Sequence, residues 1–259
     1  MNQTPVDYGM WKLMAWTGPV FFIGFFFMWG LLADNFPPMA ASKTPLEMWQ
    51  HYKDLQFEIT LGMSVCMVLG SCYMTFGAAV SRVMRRIEDR EGMLSSIEMM
   101  GATITYCPIV VACGLWLTAA IQVDALTPEM VQFCYRAGWM VIDLAYMVTS
   151  WQIIAASVVF LRDKREKKLV PAWVSWWGFV TVASFFPVSL IPFFETGPFA
   201  FHGMFNFWVA FPTWYIWIVA MSIYIIKAVN RLQIEDGLAQ PQSAAAAGSA
   251  TLQAATVRG

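Results

Sequence analysis

Six long apolar runs, separated by short polar segments, dominate the sequence. They cover residues 13–33, 58–80, 98–121, 137–161, 171–193 and 204–226. Each run reaches the length of about 20 residues that an α-helix needs to cross a hydrocarbon layer of about 30 Å. Helices are expected because the open edge of a sheet finds no hydrogen-bond partner in lipid. The pattern predicts an all-α fold, a polytopic membrane bundle of six transmembrane helices.

The same pattern divides the chain into three parts. The first apolar run is too long for the core of a secretory signal, and no small-x-small cleavage site follows it, so it is expected to be a retained span. Residues 1–12 then form an N-terminal segment, and residues 13–227 form the transmembrane domain. From about residue 236 the chain turns to Ala, Gln, Ser and Gly without apolar periodicity. Residues 228–259 are therefore predicted to be a largely disordered tail.

Composition and charge indicate the solvent for which the chain is built and its orientation in the membrane. Apolar residues make up 58% of the chain and charged residues 13%, against roughly a quarter charged in a soluble domain, which excludes an ordinary soluble fold. All but three of the 16 Lys and Arg lie in segments 1–12, 81–97, 162–170 and 227–259. The positive-inside rule places these segments, and hence both termini, in the cytoplasm.

Asp143 is the most informative polar residue. With Glu58 counted at the outer boundary and Glu98 at the inner one, Asp143 is the only charged residue left within the membrane. A carboxylate there is costly in hydrocarbon, so it is expected to face the bundle interior or a wet cavity, or else to be protonated. Tyr146 and Ser150 share its face at helical spacing and predict a polar stripe. Two interpretations stay open: a relay site for a proton or cation, or a carboxyl bonded to neighbouring hydroxyls.

A second group of candidates lies in the predicted outer segments. His51 and His202 both fall there, together with carboxylates that include Glu58 and Glu195. Two imidazoles and several carboxylates on one face are donors that zinc or iron accepts. The spacing matches no metal motif, and the alternative is a set of interfacial residues bonded to water. The metal ligands and any cofactor thus stay unknown, with His51 and His202 as the candidates.

Proline occurs inside four of the predicted spans, at Pro19, Pro108, Pro187 and Pro212. A proline frees a backbone carbonyl and tends to kink a membrane helix. Such kinks either open a cavity or serve packing alone.

Several enzyme signatures are missing. The sequence has no GxxxxGK[ST] loop, no HExxH, no nucleophile elbow and no CxxCH haem site. An ATP-driven pump or a metal-dependent membrane oxygenase acting through this chain alone is therefore not expected.

One stretch resembles a known group of proteins. Residues 193–217 contain the turn TGPFAxxG, formed by residues 196–203, ahead of the last span; PxWV at 171–174 enters the fifth span, and YKD at 52–54 precedes the second. In these features the chain resembles uncharacterised bacterial six-helix inner-membrane proteins, over residues 13–227. The resemblance implies a multi-pass protein of the bacterial inner membrane and no particular activity. Position 202 is more often Asn than His in that group, which argues against a shared histidine ligand.

Two classes of function follow. The first is transport: a permease or membrane binding protein for a small apolar molecule or ion, using the kinked bundle and Asp143. The second is a non-catalytic subunit or accessory of a membrane redox or enzyme complex, whose partner would supply the cofactors. A metal-binding membrane enzyme built on His51 and His202 is a third. The predicted partners are the lipid bilayer and either a small apolar ligand or a membrane protein, and not nucleic acid.

Overall fold

The computed structural model describes the backbone of residues 6–256 and the side chains of residues 6–237. Within that range the chain is helical and contains no β-strand. The α-helices are α1 (Tyr8–Phe25), α2 (Pro45–Asp54), α3 (Gln56–Met84), α4 (Met93–Ile121), α5 (Pro128–Leu144), α6 (Tyr146–Leu161), α7 (Ala172–Phe185) and α8 (Phe211–Thr256). The all-α prediction is confirmed.

Six helical stretches are long and apolar enough to cross a membrane, as predicted. Spans 1 to 6 cover Tyr8–Leu32, Gln56–Met84, Met93–Ile121, Pro128–Leu161, Ala172–Phe193 and Met204–Gly237. Span 4 consists of α5 and α6 in succession, whereas α2 is a short helix between spans 1 and 2. The protein is therefore a multi-pass membrane protein whose lipid-facing surface is in contact with the bilayer.

Local sequence explains where the helices on one side of the bundle begin. Thr44 caps α2 in a reciprocal arrangement with Glu47, and Thr127 caps α5 by accepting a hydrogen bond from the backbone N–H of Met130. In both helices a proline, Pro45 or Pro128, follows the cap. Proline fits the first helical position because its fixed φ is helical and its missing N–H would have no intrahelical partner there.

The spans form one packed bundle. Helix α3 packs against α1 and α4, α4 packs against α5 and α6, and α8 packs against α1 and α7. Large aromatic side chains fill the interior, and Trp29, Trp116, Trp139 and Trp217 are at most 2% exposed. At the contacts between helices, small residues set how closely the backbones approach one another.

Both ends of the described chain lie at the same end of the bundle. The Tyr8 hydroxyl donates to the carboxylate of Asp236 and to the backbone carbonyl of Leu232, 3.2 Å away. Arg86 donates two hydrogen bonds to the same carboxylate, at 2.7 and 3.0 Å. This end also carries residues 85–92 and 162–171, and we call it the basic end. Its placement in the cytoplasm stays a prediction from the charge distribution.

The first part of the predicted disordered tail, residues 228–237, is helical in the structure. Helix α8 continues without a break past residue 228, and Val229 and Leu232 are fully buried. Arg231 pairs with Glu235 one turn later, at 2.7 Å. The helix persists because its apolar spacing extends beyond the hydrocarbon-length run and packs at the basic end. The prediction also covers the residues after Gly237, whose side chains lie outside the described part of the chain.

Candidate binding site

Four spans depart from regular α-helix around one region of the bundle. Spans 1 and 6 contain π-helical segments, Phe26–Leu32 and Met204–Ala210. Span 4 is interrupted at Ala145, and span 5 ends in a 3-10 segment, Phe186–Phe193. π-Helical turns are rare in proteins, and those that occur are often found at functional sites. The wider turn redirects side chains. The irregular segments of spans 4, 5 and 6 line a cavity, and that of span 1 lines a neighbouring groove.

The central cavity lies between spans 1, 3, 4, 5 and 6 and has a volume of about 70 Å³. Aromatic and aliphatic side chains form most of its wall, and Asp143, Asn206, Thr105 and Thr149 bring polar atoms to it. Its lining comprises Phe21, Phe25, Thr105, Pro108, Ile109, Ile142, Asp143, Ala145, Tyr146, Thr149, Phe185, Val188, Asn206, Ala210, Phe211 and Trp214. The cavity is thus a mostly apolar site with a few polar groups, as ligand sites commonly are.

Asp143 is the carboxyl of this cavity. Its side chain is 5% exposed, and its Oδ2 accepts a hydrogen bond of 2.8 Å from Nδ2 of Asn206. The same amide nitrogen donates to the backbone carbonyl of Phe201 at 2.7 Å, which fixes the amide in place. Oδ1 of Asp143 accepts no hydrogen bond from the described side chains, and no Lys or Arg among them forms an ion pair with it. The predicted interior position of Asp143 is therefore what the structure shows.

The polar stripe predicted beside Asp143 does not form one network. The Tyr146 hydroxyl bonds to that of Ser189 at 2.6 Å, and the Ser150 hydroxyl donates to the carbonyl of Tyr146 in its own helix. Of these residues, Tyr146 lines the cavity and Ser150 does not. The interruption at Ala145 is the physical reason, since it changes the rotation of α6 relative to α5.

Four further polar residues of the cavity were not among the sequence candidates. Thr105 of α4 and Thr149 of α6 share a hydrogen bond of 2.9 Å across the helix contact. The indole N–H of Trp214 is buried without a hydrogen-bond partner among the described residues. Asn206 was also missed, because an amide in the aromatic stretch FNFW has no local signal that points to Asp143, 63 residues away.

The structure does not bring the outer candidates together as a metal centre. Nδ1 of His51 lies 3.9 Å from a carboxylate oxygen of Asp34, whereas Nδ1 of His202 accepts a hydrogen bond from the backbone N–H of Ala41 at 3.1 Å. Burial lowers the pKa of both imidazoles. Among the described residues no three His, Cys, Asp or Glu side chains are grouped to hold a metal ion.

The two carboxylate candidates of that face also have other surroundings. Glu195 is exposed and pairs with Arg136 at 2.9 Å, and Arg136 in turn donates to the backbone carbonyl of Ala41. Glu58 lies half-buried in the first turn of α3. The contacts of Arg136 join loops 33–44 and 194–203 at the end of the bundle opposite the basic end. They indicate that Glu195 has a structural role.

The contact of His202 predicts a pH dependence of stability. Because burial depresses its folded pKa, the unfolded chain binds more protons, so stability falls as the pH drops below about 6.5, the ordinary His pKa. We expect His202→Asn, whose amide oxygen still accepts from Ala41, to reduce the loss of melting temperature between about pH 7.5 and about pH 5.5. Thermal unfolding of both proteins at the two pH values measures it. An equal loss in both proteins would contradict the role given to His202.

Glu98 was placed at the membrane boundary from the sequence, and the structure corrects this. It lies inside α4 and is fully buried, so Asp143 is not the only carboxyl within the bundle. The apolar run was read as starting at residue 98, but α4 begins at Met93, one turn earlier. The missed signal is the helical repeat of small residues at Gly101 and Ala102 beside it, which marks a helix contact and not a surface.

The predicted prolines have different outcomes. Pro108 lines the central cavity, whereas Pro187 lies in the 3-10 segment of span 5 and Pro212 is the second residue after the π-helical segment of span 6. Pro19 lies within α1 and is not part of the cavity lining. Three of the four thus occur where the helices depart from regular geometry or border the cavity.

Comparison with known proteins gives no match: no family model, no curated protein and no solved structure is similar to this chain.

Proposed function

We propose that the protein is a permease or membrane binding protein for a small, mostly apolar molecule that carries a positive charge, with Asp143 as its counter-ion. The observation that carries this proposal is the position of Asp143. Its carboxyl lies at the wall of the central cavity, held by one amide, with one oxygen free of hydrogen bonds from described side chains.

The charge of the ligand follows from the cost of burying a carboxylate. An ionised group removed from water loses several kcal/mol of solvation unless a partner of opposite charge replaces it. Here the described residues supply an amide and no cation. A ligand with a positive charge would complete the site, and intramembrane acids commonly take such a role.

The rest of the wall suits the same ligand. The aromatic members of the lining are Phe21, Phe25, Tyr146, Phe185, Phe211 and Trp214. Aromatic faces attract cations, by about 2 kcal/mol or more where water is excluded, and they also accommodate apolar groups.

A second, apolar groove supports arrival from the membrane. It lies between spans 1 and 6, is lined by Phe26, Trp29, Phe36, Phe207, Phe211, Pro212, Tyr215 and Ile216, and borders the two π-helical segments. Phe211 belongs to the walls of both the groove and the central cavity. The Phe211 side chain thus lies between the groove and the cavity, which favours a lateral route for an apolar ligand dissolved in the bilayer.

The cellular setting of the proposal is the inner membrane of a bacterium, with the basic end in the cytoplasm. Its support is the concentration of Lys and Arg in the segments of the basic end, together with the likeness of the TGPFAxxG turn to bacterial inner-membrane proteins.

The test uses two probes of the same shape, benzyltrimethylammonium and its uncharged carbon analogue neopentylbenzene. We expect the protein in nanodiscs to bind the cation at least about tenfold more tightly, or about 1.4 kcal/mol, because only the cation pairs with Asp143. Equilibrium binding of the radiolabelled probes, with empty nanodiscs subtracted, measures both affinities.

Two variants show whether binding occurs in the cavity. Ala210→Leu adds bulk to the cavity wall and should weaken both probes, whereas Ala183→Leu adds the same bulk to an exposed position of α7 and should change neither. Equal affinity for the two probes, or no effect of Ala210→Leu, would contradict the proposal. A stoichiometric second polypeptide in a preparation that binds neither probe would favour the accessory function instead.

A further inference from the structure

A second carboxyl, Glu98, is buried in the bundle away from the central cavity. Its side chain is fully buried on α4, and its Oε1 accepts a hydrogen bond of 3.3 Å from Nε2 of Gln152 on α6. Its Oε2 is buried and has no hydrogen-bond partner among the described residues. No contact in the cavity explains this group, so it calls for an explanation of its own.

The neighbours of Glu98 form a chain of donors directed at it. The Tyr73 hydroxyl of α3 donates to Oε1 of Gln152 at 2.7 Å, and the amide of Gln152 then donates to Glu98. Tyr73 and Gln152 are both at most 1% exposed. The carbonyl oxygen of a buried carboxyl is thereby held in one orientation, while the second oxygen is left to carry a proton.

Nothing described around Glu98 neutralises a negative charge. The elements packed against it present Tyr73 and Gly77 from α3, Gln152 from α6, and Gly101 and Ala102 from α4; of these only Tyr73 titrates, and none is a cation. The ion pairs of the described residues lie at the two ends of the bundle. An ionised Glu98 would therefore be an unpaired charge in a medium of low dielectric constant, which is strongly unfavourable.

A proton fits this site and a metal ion does not. Divalent cations such as calcium take about six to eight oxygen ligands, whereas the described residues group no three acidic, His or Cys side chains. The space is also narrow, since a Cβ built on Gly77 would lie 3.4 Å from Oε1 of Glu98. A proton binds to a single carboxylate oxygen, so it needs neither a set of ligands nor a wide space.

We propose that Glu98 is a proton-binding site, oriented by Gln152 and Tyr73, in the half of the bundle nearer the basic end. It binds a proton from hydronium, forming the O–H bond and releasing water, and it returns the proton to water when the pH rises. Gln152 of α6 follows Asp143 of α5 by nine residues along span 4. Thr149, bonded to Thr105, lies between them on the same span.

This placement also names a coupling ion for the proposed transport, and that part rests on the proposed function. Two buried carboxyls, one at the ligand cavity and one nearer the basic end, allow the movement of a cationic ligand to be linked to the movement of a proton. We expect a pH gradient to speed uptake of benzyltrimethylammonium into proteoliposomes at least about tenfold in the native protein and not in Glu98→Gln.

The test of the proton site itself does not depend on transport. Infrared difference spectra of the full-length protein in lipid, recorded during a pH titration, should show a carboxylic acid carbonyl band that disappears at alkaline pH. Glu98→Gln should lack that band, because an amide of the same shape cannot titrate. Glu58→Gln, which changes a carboxyl in the first turn of α3 at the other end of the bundle, should keep it.

A further variant leaves Glu98 in place. Tyr73→Phe removes the donor to Gln152, so the titration midpoint of the Glu98 band should move while the band remains. A band that persists in Glu98→Gln, or one that never titrates, would overturn the proton site, as would a band displaced by sodium ions and not by pH. Intact probe binding without the band refutes this inference alone, and an intact band without probe binding refutes only the proposed function.

Discussion

Replacement of Asp143 by Asn should weaken binding of benzyltrimethylammonium about 100-fold and change the affinity for neopentylbenzene by less than about twofold. Removing one partner of a buried charge pair costs about 2–5 kcal/mol, and 100-fold corresponds to about 2.8 kcal/mol. The uncharged probe makes no ion pair, so its affinity depends on the aromatic wall. Equilibrium binding in nanodiscs measures both values.

The variant is expected to fold, which makes the comparison informative. The side-chain oxygen of an Asn at position 143 still accepts the hydrogen bond that Asn206 donates to Asp143 at 2.8 Å. A melting temperature close to that of the native protein verifies this. Ser150→Ala is the matched control on the same span, because the Ser150 hydroxyl bonds to its own helix outside the cavity. An Asp143→Asn protein that still prefers the cation would remove Asp143 from the site.

Gly101→Leu should produce the largest loss of stability. A Cβ built on Gly101 of α4 lies 2.6 Å from Cβ of Gln152, 3.1 Å from its Cα and 3.2 Å from the carbonyl oxygen of Val148 on α6. The contact involves backbone, so a side-chain rotation cannot relieve it. Overpacking of this kind costs about 3 kcal/mol, which corresponds to a fall of about 10 °C in melting temperature.

The matched control lies on the same helix. A Cβ on Gly114 of α4 meets no atom within 4 Å, so Gly114→Leu gains the same intrinsic helix propensity without the clash. We expect its melting temperature to equal or exceed that of the native protein. If the two variants melt alike in detergent, the close approach of α4 and α6 at Gly101 is not as described, and the contact between Gln152 and Glu98 loses its basis.

Of the candidate site, the sequence predicted Asp143 and its neighbour Tyr146. A lone carboxyl in an apolar run has a high cost in lipid wherever the helix lies, so its interior position follows without knowledge of its neighbours. Its partner Asn206 could not be found in this way. Tyr146 and Ser150 were assigned to its face on the assumption of an unbroken helix; Tyr146 does line the cavity, whereas Ser150, beyond the interruption at Ala145, does not.

Glu98 also shows that the sequence alone does not define the surroundings of a carboxyl. At the edge of an apolar run, a carboxylate is compatible with either a hydrated boundary or a buried contact, and hydropathy alone cannot distinguish them. The contact with Gln152, 54 residues away, decides the matter. His51 and His202 share a predicted face, but sharing a face does not bring side chains together.

By itself, the sequence determined that this protein crosses the membrane six times as helices, because span length and the cost of unpaired backbone groups in lipid depend only on local composition. It also determined that Asp143 lies inside. Only the tertiary structure decided which helices meet, where π-helical and 3-10 segments surround a cavity, and which amides face Asp143 and Glu98. Those features depend on the rotation and mutual approach of helices distant in sequence, and the apolar pattern of a membrane helix, which is apolar toward lipid and core alike, does not specify that rotation.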